Sequence, residues 1–138
     1  MELRNLLIMG STAAAVLLAY KVFGTKKVLS IVFFTEDDSR IAALMQQTLS
    51  SKFDVQLING TVSSVPKSSI IIELGGQAVN PDYRSLVNQG ILPELKEGMN
   101  PTAIVKQVGN TLFIAGINPQ DTIDAARRLL ISGDWQQW

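Results

Sequence analysis

Glu36, Asp37 and Asp38 stand in a row directly after the apolar run Val28–Thr35 (VLSIVFFT). Carboxylates at the C-terminal end of a strand lie where open α/β sheets take ligands, and hard cations such as Mg²⁺ or Ca²⁺ bind through oxygens of this type. A phosphate-receiving site of that kind also needs an acceptor Asp ending the third strand and a Lys ending a later one. The chain instead has Glu73 within a strand, followed by Gly75, and Ala115-Gly116 in place of a Lys, so that chemistry is excluded. Helix capping by Asp37 or Asp38 and complementarity to the helix dipole account for the three acids. Glu73 interrupts a run of Ile, which points to a strand end, a sheet edge or a pairing with Arg84 or Lys106.

Two further segments echo one another. SIIIELGGQAVNP (69–81) and TLFIAGINP (111–119) each run from an apolar strand through Gly to Asn-Pro at a helix start. Such turns can cradle phosphate. Here Asp82 and Asp121 already place carboxylates at those starts, and neither loop contains Lys or Arg. Asn80 and Asn118 are therefore read as equivalent N-caps, each with Pro at the first helical position. Together, Glu36, Asp37, Asp38, Gly75, Gly76, Asn80, Gly116 and Asn118 form the candidate loops for a ligand or partner. No catalytic residue, cofactor or metal site is assigned.

Composition removes much other chemistry. The 138 residues include 12 Lys+Arg, 12 Asp+Glu, and no Cys or His. Disulfides, thiolate nucleophiles, imidazole or thiol zinc sites and Ser–His or Cys–His catalysis are thus excluded. Residues 1–27 carry Arg4, Lys21, Lys26 and Lys27 against Glu2, a formal +3, which leaves −3 for residues 28–138. An acidic body lacks the clustered cations of a nucleic-acid groove, so no nucleic-acid partner is expected.

The elements that must position the loops read as one α/β domain over 28–138. Strands are expected at Val28–Thr35, Val55–Ile58, Ser69–Leu74, Ala103–Val108 and Thr111–Ala115, the last two joined by a Gly109-Asn110 hairpin turn. Helices are expected after Asp37 or Asp38, after Asn80-Pro81 and after Asn118-Pro119, the last ending at Gly133. The alternation predicts a three-layer α/β/α domain with a mixed, largely parallel sheet. In the tail, Trp135 is read as packing back on the domain or, with Trp138, as a candidate partner contact.

The N-terminal segment is read as a membrane anchor over residues 1–24, followed by a linker at 25–27. Leu6–Tyr20 (LLIMGSTAAAVLLAY) has no charge, and extension to Phe23 gives a helix of about 27 Å, enough for one transmembrane span in a bilayer. A cleaved signal peptide fits less well, because Ala13-Ala14-Ala15 lies inside the apolar core. Ser11, Ala15 and Ala19 form a small-residue stripe able to pack against a second membrane helix.

The residues 72–81 (IELGGQAVNP) and 112–126 (LFIAGINPQDTIDAA) resemble the GGPAVNP and AGxxxxDTxxAA segments of archaeal S-layer proteins, over about residues 68–132. Gln77 stands where that family often has Pro. The resemblance implies an S-layer-like α/β module on a membrane stalk, outside the cell or on a virion, with no catalytic residues to carry over. Against an exterior domain, Lys21, Lys26 and Lys27 outnumber Arg4 plus the α-amine by one charge, which favours the cytoplasmic side. Orientation stays open at this point. The expected function is a non-enzymatic, single-pass structural or interaction module of an archaeal-type envelope or membrane assembly. Its partners would be the lipid bilayer through residues 6–23, other envelope or membrane proteins, or a second copy. The alternatives are a small-ligand or anion-binding domain, enzymatic or not, using the strand C-terminal loops, and a cytoplasmic adaptor subunit.

Overall fold

Segments apolar on both faces belong at the centre of a sheet covered on both sides, and the chain arranges them so. A computed structural model describes residues 26–65, 67–68 and 70–138. Its elements are β1 (Val28–Phe33), α1 (Glu36–Leu49), β2 (Asp54–Asn59), β3 (Ile70–Leu74), α2 (Pro81–Asn88), β4 (Ala103–Val108), β5 (Thr111–Gly116) and α3 (Pro119–Ser132). A short 3₁₀ turn, Asp134–Gln137, closes the chain. The anchor expected over residues 6–23 and its Ser11, Ala15 and Ala19 stripe lie outside the described residues. Among the described residues, no helix is long and apolar enough to cross a membrane.

The strands form one sheet in the order β2-β1-β3-β5-β4. β2, β1, β3 and β5 run parallel, and β4 pairs antiparallel with β5 across the Gly109-Asn110 turn. From β1 the chain crosses to β2 on one side and then to β3 on the other. The order therefore reverses between β1 and β3, which opens a crevice at their C-terminal ends.

Strand alternation sends successive side chains to opposite faces. Leu29, Ile31, Ile72, Leu74 and Ile114 meet Ile41, Met45 and Leu49 of α1 and Ala125 and Ala126 of α3, forming the larger core. On the other face Phe113 and Ala115 pack with Tyr83 of α2 and with Leu92 and Leu95 of the following loop. The architecture is thus helix–sheet–helix, with two helices on one face and one on the other. Tyr83 donates a hydrogen bond to the Pro93 carbonyl at 2.7 Å, and burial pushes its phenol up to about 12.

Two sequence expectations are corrected here. Thr35, rather than Asp37 or Asp38, caps α1: its extended backbone lets Oγ1 accept the Asp38 amide at 3.1 Å. Glu73 lies at neither a sheet edge nor a strand end. It sits in the central strand, pairs across to Val32 and Phe113, and is buried. Arg84, one expected partner, instead donates to the Gln77 carbonyl at 2.9 Å. Trp135 packs back on the domain as part of the larger core, the first of its two readings, with its indole N–H donating to the Leu130 carbonyl. Trp138 is half-buried, tilted against Phe53 with ring centroids 6.4 Å apart.

Candidate functional site

Each parallel strand ends in a loop that starts a helix, and three of these loops meet above the β1–β3 crevice. They enclose a cavity of about 220 Å³ lined by Thr35 and Asp38 from the first loop, Gly75–Val79 from the second, and Gly116–Pro119 with Thr122 from the third. Leu95 closes the side. That volume is below the ~300–1,000 Å³ of sites for drug-sized molecules, so the space suits a small body.

Glycine makes the close approach possible. A Cβ on Gly116 would lie 2.4 Å from the Thr122 amide nitrogen, so only Gly lets β5 run this close to the start of α3. The Gly116 amide donates to Thr122 Oγ1 at 2.9 Å, which fixes the contact. Gly75 has φ of +107°, and a Cβ there would meet Val79 at 2.6 Å and Asp38 Oδ2 at 3.3 Å. Gln77 holds the far wall: its amide donates to the Leu95 carbonyl at 2.7 Å and accepts the Leu95 amide at 3.1 Å.

The two asparagines are not equivalent. Asn118 caps α3 at the surface, accepting the Asp121 amide at 2.9 Å. Asn80 is fully buried and has two tasks. Its carbonyl accepts the Asp82 and Tyr83 amides, while its NH₂ donates to Glu73 Oε1 at 3.2 Å. Burial, then the negative charge of Asp82 and a hydrogen bond to it, push the Glu73 carboxyl up to about 8. Glu73 therefore holds a proton at neutral pH beneath the start of α2.

The acidic run divides in the same way. Glu36 and Asp37 are exposed or half-exposed and face Arg40 at 3.6 and 3.7 Å, pairs of small energetic value at such exposure. Asp38 turns inward. It is 3% exposed, lines the cavity, and its Oδ1 is buried without a hydrogen-bond partner. Burial pushes its carboxyl up, offset in part by a hydrogen bond with Thr35, and the neighbouring Asp37 adds to the rise. Among the described residues, no Lys or Arg lines the cavity. The amides of Asp38, Gly75, Val79, Gly116, Ile117 and Thr122 are engaged by acceptors within the chain. Among the described residues the cleft therefore offers an anion no counter-charge.

Of the candidate loop residues, Asp38, Gly75, Gly76, Gly116 and Asn118 come together around the cavity, whereas Glu36, Asp37 and Asn80 do not line it. Thr35, Leu95 and Thr122 are not among the candidates read from the sequence, and Gln77 enters there only as a departure from the S-layer-like segment. Of these, only Thr35 carried a local signal, as a capping-competent residue just before the acidic run. A single carboxylate among otherwise neutral side chains is a poor donor set for a divalent ion, and no cluster of three metal-ligating side chains occurs among the described residues. Set against known protein families, curated proteins and solved structures, the chain matches none.

Proposed function

We propose that the chain is a membrane-tethered binding domain that takes a small ligand into the cleft at the C-terminal ends of β1, β3 and β5. The tether rests on the uncharged segment Leu6–Tyr20, long enough with Val22 and Phe23 to span a bilayer. The binding function rests on one observation: Asp38 lines a preformed cleft at the sheet's switch point with a buried carboxylate oxygen that has no partner. An unpartnered buried polar group costs about 1–3 kcal/mol, so its retention favours a use that folding alone does not supply. The S-layer-like segments agree with an envelope setting for such a domain.

The test pairs stability with binding. The full chain in nanodiscs would be screened for small molecules that raise its melting temperature, in parallel with Asp38→Leu. The variant is expected to be at least as stable as the parent, since an apolar side chain removes the orphaned carboxyl, and to lose the ligand response. A less stable variant, or a parent that no compound stabilises, would count against the proposal.

A further inference from the structure

We infer that the ligand of this cleft is a small organic cation, an alkylammonium group whose charged head meets Asp38 and whose aliphatic body lies against Val79 and Leu95. The inference rests on the binding function proposed above and adds the ligand's chemistry. Three observations support it. First, among the described residues the only ionisable side chain lining the cavity is Asp38, buried and with Oδ1 unpartnered. A buried carboxylate without a counter-charge is stabilised by whatever brings one. Second, the helix starts around the cleft carry acids of their own: Glu36 and Asp37 on α1, Asp82 on α2 and Asp121 on α3. These offset the positive ends of the helix dipoles, which would otherwise favour an anion. Third, the remaining wall is largely aliphatic or glycine backbone, with Leu95 clamped in place by Gln77. Such a wall accepts methylene groups and gives a metal ion no further oxygen-rich shell.

The experiment follows methyl and amide signals of the full chain in phosphatidylcholine nanodiscs during titration with probes that share an n-butyl chain. These are n-butylammonium, n-butanol and n-valerate, with N-acetyl-lysine methylamide as a peptide-borne ammonium. Butylammonium is expected to shift Gly75, Gly116 and the Leu95 methyls, and to bind at least about tenfold more tightly than the alcohol, the factor that one charge-assisted hydrogen bond supplies. Valerate should be the weakest. Asp38→Asn should remove the ammonium preference, bringing the ammonium's affinity down to that of the alcohol. Binding of the lysine probe as well would extend the ligand class to protein lysines, and binding of the free amine alone would restrict it to small amines. If the alcohol binds in the cleft as tightly as the ammonium, or valerate more tightly, the cation inference falls and the binding cleft stands. If no probe moves the cleft signals, the binding function falls with it. Should Asp38→Asn fail to fold, the ranking of probes on the parent still decides the question.

Discussion

Glu73→Gln should change how stability responds to pH. In the folded chain the Glu73 carboxyl is raised from 4.5 to about 8, so between these values the folded state holds a proton that the unfolded state has lost. Stability from this group is then fully present below pH 4.5 and declines as pH rises through about 8. One proton corresponds to about 1.4 kcal/mol per pH unit, so the whole interval represents at most ~5 kcal/mol. Asp82, the charge that opposes ionisation, is exposed and its repulsion is screened, which reduces the expected loss to about 2–4 kcal/mol. Gln retains the shape, accepts from Asn80 through its carbonyl and offers Asp82 an N–H where protonated Glu73 offers O–H. Denaturant melts of parent and variant from about pH 5 to about pH 9 would separate the contributions. The parent should lose stability from about pH 5 to about pH 8 and level off above that, and the variant should lose markedly less. Parallel curves would refute the reasoning, because they would show that Glu73 does not titrate under burial.

Three other outcomes follow from the same geometry. Asn118→Asp should cost less than about 0.5 kcal/mol, since a surface cap tolerates either residue, whereas Asn80→Asp should cost at least about 2 kcal/mol by placing a carboxylate against Glu73; chemical denaturation compares the two. Gly116→Ala should cost at least about 3 kcal/mol because its Cβ meets helix backbone, while Gly109→Ala, with φ of +64° and open space around it, should cost only about 1–2 kcal/mol. Equal losses for those two variants would show that the β5–α3 approach is not tight. Tyr83→Phe should lower stability by about 1 kcal/mol by leaving the Pro93 carbonyl without its donor, and an unchanged melting temperature would argue against that bond.

Much of the scaffold is visible in local residue order. Ala103–Val108 and Thr111–Gly116 stand out because Gly109-Asn110 supplies a two-residue turn between apolar runs, and Asn-Pro marks the starts of α2 and α3. The start of α1 is harder to read. Thr35, Asp37 and Asp38 can all cap, and only the backbone path out of β1 decides among them. Glu73 is misplaced by any rule that keeps carboxylates out of central strands, because its compensation comes from Asn80 and Asp82, seven and nine positions on. Half the cleft is legible for the same reason that the turns are: Gly75, Gly76 and Gly116 announce close backbone approaches. The inward turn of Asp38, the Gln77 clamp on Leu95 and the Thr122 anchor under Gly116 depend on three loops meeting in space, which spacing along the chain does not encode.

The central claim is that the cleft beside Asp38 receives a small ligand. Its most direct measurement is the set of intermolecular nuclear Overhauser contacts between an alkylammonium probe and the full chain in nanodiscs. Contacts from the probe's methylenes to the Val79 and Leu95 methyls and to the Gly75 α-protons, weakened in Asp38→Asn, are predicted. Contacts confined to lipid or to the outer faces of the helices, with the cleft signals unmoved, would contradict the account.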